Sequence, residues 1–191
     1  MFGKTLATSA LRTASLAAVA VLAAITASAQ STTTYSEYSA KFLCGVPTAN
    51  NLAAGLIENA HYATSINIHN PNLFSNEAAL SFLKKAVIAH PEGVTLVAPS
   101  NFRQDSLPND YAETVDCAII RSILGKAAPA SPAFIEGFLV IIVPPANTPN
   151  QLDVTAVYTS SNNPPTSLQV VPIVGRVISP PSGAALEGRI E

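Results

Sequence analysis

Short apolar segments separated by proline, asparagine and glycine limit what this chain can fold into. Their length and their partial alternation of apolar and polar residues are typical of β-strands. Strands at this spacing predict an all-β fold, namely a single antiparallel β-sandwich, immunoglobulin-like or related, over residues 30–178. The segments are Tyr38–Cys44, His61–His69, Leu80–Ala89, Val94–Ala98, Ile135–Val143, Leu152–Thr159 and Leu168–Ile178.

Some segments carry further signals. Residues 115–124 are predicted to form one short helical insertion between strands, ended by Gly125. Leu80–Ala89 is open to either interpretation, because alanine, leucine and lysine also favour helix. Pro172 predicts that the last strand lies at a sheet edge, because proline cannot donate to the ladder. The helical spacing is formed by Val115, Ile119, Ile120 and Ile123.

The N-terminus has the three parts of a cleavable secretory signal peptide, which we predict over residues 1–29. Lys4 and Arg12 precede an uncharged run at residues 16–25, and Ala27 and Ala29 form a small-residue cleavage site. A membrane anchor is the alternative, but a spanning helix needs about 20 apolar residues. The mature protein is therefore predicted to be secreted or periplasmic, without a membrane span, and to end in a flexible tail at residues 179–191.

Charge and cysteine content narrow the possible partners. The chain has a net charge of −2, and removal of Lys4 and Arg12 lowers it to about −4. Since basic residues do not cluster, nucleic-acid binding is not expected. In an oxidising compartment Cys44 and Cys117 are predicted to form a disulfide, with a pair of buried free thiols as the alternative. Their spacing is unlike that of a zinc site, and no cofactor is predicted.

The three histidines offer little for catalysis. The alternation of His61–His69 places both of its terminal histidines on the polar face. Eight residues of strand separate them by about 26 Å, so they cannot share a metal ion. His69 precedes a turn sequence, and we expect it to hydrogen-bond the loop rather than act as a base. His90, followed by Pro91, is interpreted as an ordinary strand end.

Carboxylates are the remaining candidates for chemistry, since no serine lies in a recognised nucleophile motif. Glu136 and Asp153 lie on strands predicted to be adjacent, and Glu113 lies near Asp116, so either pair could serve a glycosidase-like hydrolase. Solvated surface acids are the alternative for both pairs. A weaker possibility is a calcium site, because one loop supplies several hard oxygen ligands. Those residues are Asn101, Asp105, Asn109 and Asp110.

One predicted strand is apolar on both faces, which suggests an interface. We predict Ile135–Val143 and Leu152–Thr159 to be hairpin partners, with Tyr158 lying over Gly137. Leu139, Ile141 and Val143 would then face the core. Large apolar residues would remain on the outer face, where either the chain itself or another molecule must cover them. These candidate interface residues are Phe138, Val140, Ile142 and, beside them, Val157.

Several stretches in this order resemble a group of exported bacterial proteins of unassigned activity, over roughly residues 36–160. That resemblance implies no catalytic residue. The architecture is also similar, more loosely, to the small β-sandwich transducer proteins associated with sensory rhodopsins, which would imply a ligand-responsive oligomer. The stretches are Tyr38–Gly45, His61–Asn72, Val115–Cys117, Ile135–Ile141 and Leu152–Thr159.

Together these features predict an exported, non-enzymatic binding or structural module. Its partner would be an unidentified protein or a second copy of the chain. One alternative is a secreted hydrolase that uses acidic residues, with or without calcium. Another is a subunit of a fibre or surface layer.

Overall fold

Two antiparallel sheets form the fold, in agreement with the predicted all-β sandwich. The computed structural model describes residues 34–48, 58–73, 79–90, 92–145, 151–162 and 166–179, without the side chain of Thr166. The elements are β1 (Tyr35–Cys44), β2 (His61–His69), β3 (Ala79–Ile88), β4 (Arg103–Pro108), β5 (Ala112–Asp116), α1 (Cys117–Leu124), a 3₁₀ turn (Gly125–Ala127), β6 (Ile135–Val143), β7 (Asp153–Ser161), β8 (Thr166–Ile173) and β9 (Arg176–Ile178). Sheet A has the order β4-β3-β6-β1-β9, and sheet B has the order β5-β2-β7-β8.

The core lies between the inner faces of the two sheets. Every second residue of β1, from Tyr38 to Cys44, is buried, and β2 and β6 bury alternate residues in the same way. Successive side chains of a strand point to opposite faces, so this alternation fixes which side of each strand packs. The largest core side chains are Phe42, Phe82, Ile66, Ile68, Ile120, Leu139 and Ile141.

Helix α1 confirms the predicted insertion but begins later than its apolar spacing suggests. Val115 is buried as part of β5, whereas Ile119 is exposed. The helix begins at Cys117 because the Asp116 side chain accepts a 2.9 Å hydrogen bond from the Ile119 backbone N–H. Gly125 ends it, with a φ of 58° that favours glycine.

The predicted strand Val94–Ala98 is wrong. Those residues pair with no strand, and Leu96 is well exposed. The edge of sheet A is formed instead by β4, which sequence reasoning missed. Of its six residues only Leu107 is fully buried, so β4 lacks the alternation that marks a strand. The ambiguous segment Leu80–Ala89 is resolved as the strand β3.

The predicted hairpin between β6 and β7 is also wrong. β6 pairs with β1 and β3 in sheet A, whereas β7 pairs with β2 and β8 in sheet B. The segment Leu168–Ile178 divides into β8 and β9, which lie in different sheets. The Pro172 prediction is confirmed, because β8 is at the end of sheet B. Phe42, rather than Tyr158, lies against Gly137, since an added Cβ there would meet the Phe42 ring at 2.7 Å.

The described part of the chain contains no helix long and apolar enough to span a membrane. The predicted signal peptide and almost all of the predicted tail lie outside the described residues.

Candidate functional site

The predicted disulfide is present and closes one end of the sandwich. Cys44 and Cys117 are joined at an S–S distance of 2.03 Å. Cys44 ends β1 in sheet A, and Cys117 follows β5 of sheet B, so the bond links the two sheets. With both sulfurs bonded, neither cysteine serves as a nucleophile or a metal ligand.

The predicted apolar interface is only partly uncovered. Ile142 is buried in a small second cluster with Leu83 and Phe102. Phe102 follows the segment that was predicted as a strand, so the chain itself covers this part of the face. Ile142 is therefore removed as a candidate interface residue.

The other candidate residues do not form one surface either. Val140 is half-buried against that cluster, and Phe138 remains 41% exposed. Val157 lies in β7 of sheet B, not beside the β6 residues, because β6 and β7 are not paired. The candidate interface is thus reduced to Phe138 and the exposed part of the Val140 side chain.

The side chains of His69 and His90 contact their own chain, as expected for His69. Its ring nitrogens lie 3.4 Å from Asp110 Oδ1 and 3.4 Å from Asp153 Oδ2. Asp110 belongs to the turn between β4 and β5, so His69 connects that turn to the start of β7. The Nε2 atom of His90 accepts a hydrogen bond from the Val97 N–H at 3.2 Å.

The predicted carboxylate pairs are not brought together. Glu136, in sheet A, forms an ion pair with Lys41 at 3.5 Å, while Asp153, in sheet B, contacts His69. Asp116 caps α1, whereas Glu113 binds Lys84. Each of these four carboxylates therefore has a binding partner within the fold.

The predicted calcium ligands also separate. Asp105 binds Lys84, Asp110 contacts His69, and the Asn109 side-chain oxygen accepts from Asn70 at 3.4 Å. Within the described residues, no three His, Cys, Asp or Glu side chains are grouped to hold a metal ion.

Lys84 is a buried charged residue that sequence reasoning missed. It faces the core from β3, and its Nζ lies 2.6 Å from Asp105 Oδ2 and 2.7 Å from Glu113 Oε1. Burial raises the pKa of Asp105, but hydrogen bonding to Lys84 and Ser106 and the charge of Lys84 outweigh it and lower that pKa below its ordinary 3.8. The only signal in the sequence was a lysine on the apolar face of an alternating segment.

The side of the sandwich away from β4 and β5 carries exposed apolar side chains. β8 and β9 are consecutive strands that end the two sheets, and Val174 and Gly175 connect them. We call these strands and their connection the open edge. The exposed fractions are 66% for Leu168, 57% for Val170, 86% for Val174 and 73% for Val177.

Two grooves lie beside the open edge. One, of about 570 Å³, is lined by β1, the start of β7 and residues 172–177. The other, of about 390 Å³, is lined by Lys41, Leu43, Tyr62, Tyr158 and residues of β8. Both adjoin β1, because β9 pairs with β1 only along Tyr35–Glu37.

Beyond the part of β1 that pairs with β9, side chains of sheet B form hydrogen bonds with backbone groups of β1. Tyr158 donates its hydroxyl to the Lys41 carbonyl at 2.9 Å. The Thr64 hydroxyl accepts from the Leu43 N–H at 2.9 Å and donates to the Leu43 carbonyl at 3.0 Å. These bonds limit strand addition to β1, whereas β8 pairs only with β7 among the described strands.

Tyr38 forms a wall of the larger groove. Its hydroxyl oxygen accepts a 2.9 Å hydrogen bond from the Leu152 N–H, which links β1 to the residue before β7. Burial raises the pKa of both Tyr38 and Tyr158. Gly175 lies against the Tyr38 ring, and a Cβ at that position would be 2.7 Å from it.

The chain has no significant match among protein-family models, curated proteins or solved structures.

Proposed function

We propose that this protein is an exported, non-enzymatic module that binds an extended segment of another protein along β8. The observation that carries the proposal is the run of exposed apolar residues on a strand that pairs with only β7 among the described strands. An edge strand offers backbone donors and acceptors to an added strand, and alternate side chains supply selectivity.

The composition of β8 supports a protein partner. Thr166–Ile173 contains no charged residue. Natural edge strands commonly carry lysine or other charges that prevent pairing, and an edge without them is open to strand addition. Pro172 limits pairing near the end of β8, which leaves residues 166–171 as the segment for the partner.

Export is supported by the basic, apolar and small-residue pattern of residues 1–29 and by the disulfide. The alternative of a carboxylate hydrolase receives no support from the described carboxylates, since each predicted pair is divided between separate contacts. The alternative of a fibre or surface-layer subunit would use the same open edge with a second copy as the occupant.

The proposal is tested by a photo-crosslinking residue at Leu168, with Gln104 as the matched control. Both side chains are exposed on edge strands, but Gln104 lies on β4 at the other side. In the native host, Leu168 should give adducts to another protein that Val170→Lys abolishes, and Gln104 should give none. Adducts to the same chain would favour the fibre or surface-layer alternative.

Equal labelling from both positions, or none from Leu168, would contradict the proposal. N-terminal sequencing of the same material tests export. Gln30 is the expected first residue, and an intact Met1 on exported protein would contradict cleavage at that site.

A further inference from the structure

Lys84, Asp105 and Glu113 form a close ionic cluster between the two sheets, which we call the Lys84 triad. Lys84 lies on β3 and Asp105 on the adjacent strand β4, both in sheet A, and Glu113 lies on β5 in sheet B. The Lys84 Nζ is 2.6 Å from one carboxylate and 2.7 Å from the other.

The ammonium group of the triad is almost completely removed from water. The Lys84 side chain is only 9% exposed, and its Nζ also lies 5.7 Å from the centre of the Phe82 ring. Taking charged groups out of water is costly even when they are paired. Any reaction that removes the charges of Lys84 and Asp105 would relieve that cost.

We propose that Lys84 and Asp105 condense to form an intramolecular amide cross-link. The ionised pair predominates, since Lys84 lowers the pKa of Asp105, and the reactive form is the minor one in which Nζ has given a proton to the Asp105 carboxylate. In that form Nζ attacks Asp105 Cγ as a neutral amine. A bond forms between Nζ and Cγ, and the bond from Cγ to the protonated Oδ2 breaks. An ammonium and a carboxylate thus become one amide and one water molecule, with no oxidant, reductant or other reactant.

Glu113 is the catalytic residue of this step. Its carboxylate contacts Nζ directly, so it can accept a proton from the attacking nitrogen and return it to the leaving hydroxyl group. Ser106 assists from the other side, because its N–H donates to Asp105 Oδ1 at 2.8 Å. That donor would stabilise negative charge on Oδ1 as the tetrahedral intermediate forms.

The fold supplies the proximity that free amines and acids lack in water. Groups held at contact distance react with effective molarities of about 10⁵–10⁸ M. Their positions are fixed by the β3–β4 pairing, in which Phe82 is opposite Asp105 and Lys84 is opposite Arg103. The amide product replaces the charges of Lys84 and Asp105 with a neutral group, and the Glu113 carboxylate, whose side chain is 24% exposed, remains accessible to water.

The test is the intact mass of the mature, disulfide-bonded protein. The expected value is one water below the mass of the uncondensed chain, and fragmentation should give a branched peptide that joins Lys84 to Asp105. Glu113→Gln should slow or abolish the loss of water, and Lys84→Arg should abolish it. Lys85→Arg is the matched control, since Lys85 lies over the Phe102 ring outside the triad, and it should cross-link normally.

Two outcomes would overturn the proposal. The first is a full mass without loss of water in folded wild-type protein, with circular dichroism confirming the fold. The second is a loss of water found in a linear peptide that hydroxylamine converts to a hydroxamate, which would identify a succinimide at Asp105 rather than a cross-link. If Glu113→Gln fails to fold, Lys84→Arg and the branched peptide of the wild type decide the question.

Discussion

On each of two sides of this sandwich, consecutive strands pass directly from one sheet to the other, but the two sides differ in how much of their surface is buried. On one side β4 of sheet A leads directly into β5 of sheet B, and on the other β8 of sheet B leads into β9 of sheet A. The β4–β5 side is filled with buried contacts between the sheets. The β8–β9 side leaves its apolar residues exposed and has grooves beside it.

On the β4–β5 side, polar side chains connect the strands, the turn and the helix. The buried side chain of Asn70 donates to the carbonyls of Leu107 and Pro108 and so holds the turn. Arg103 donates to the Ser122 carbonyl, which ties β4 to α1. Lys84 links both sheets through its two carboxylate partners.

The open side also has polar links between the sheets, but they are made by residues of β1, β2 and β7 rather than by β8. The β1 hydrogen bonds of Tyr38, Tyr158 and Thr64 hold the sheets together behind the edge, while β8 itself projects beyond them. β8 is thus anchored by side chains that are only half-buried, Val171 and Ile173, of which Ile173 packs against the main core. An edge strand of this kind can receive a partner strand through its backbone, so we expect stability to depend on the β4–β5 side and binding on the β8–β9 side.

The largest expected effect on the free energy of unfolding comes from removing the disulfide between Cys44 and Cys117. Replacing both cysteines, as C44A/C117A, should lower the free energy of unfolding by about 4 kcal/mol, because the bond closes a loop with a sequence separation of 73 residues. Urea unfolding of the purified mature protein measures this change. A loss below about 1 kcal/mol would show that the sheets are held by other contacts at this end.

The next largest effect is expected from a leucine-to-alanine substitution, which we compare between the edge strands β4 and β8. Leu107→Ala on β4 should cost about 3 kcal/mol, since Leu107 is 6% exposed and belongs to the core. Leu168→Ala on β8 should change stability by less than about 0.5 kcal/mol, because its side chain is mostly exposed. Thermal and urea unfolding of both variants are the measurements. Equal costs would contradict the contrast between the two sides.

The smallest expected effect is a loss of stability in alkali from the tyrosines behind the open edge. The folded-state pKa values of Tyr38 and Tyr158 are raised above the ordinary 10.0 by burial. Their contribution is therefore fully present below pH 10.0 and is lost as the pH rises through the folded-state values.

Urea midpoints measured from about pH 9 to 11 should fall more steeply for the wild type than for the Y38F/Y158F double variant. Removing the Tyr38 acceptor should also weaken the double variant at neutral pH, since the Leu152 N–H loses its partner. If the two proteins lose stability in parallel across this range, the two phenols do not control the alkaline transition.

Much of the fold follows from local pattern. The alternation in β2 was sufficient to predict a strand and its inward face, because a strand with one face in the core must bury every second residue. β6 was predicted as a strand although it is apolar on both faces, and its predicted inward residues Leu139, Ile141 and Val143 are buried. β4 and β5 could not be found this way. Their ladder hydrogen bonds are made by the backbone, and β4 and β5 each bury only one side chain fully, Leu107 and Val115. The split of Leu168–Ile178 was missed because both halves are apolar and only a long-range change of sheet separates them.

The sequence alone determined the class of fold, the inward faces of β2, β6 and β7, the edge position implied by Pro172 and the pairing of the two cysteines. These depend on local periodicity, on a missing N–H and on there being only two cysteines to join. Tertiary structure decided which strands are neighbours, and with that the fate of the predicted interface and the formation of the Lys84 triad. Such contacts join residues far apart along the chain, as Lys84 and Glu113 are, and their pairing follows from the packing of two whole sheets rather than from any local pattern.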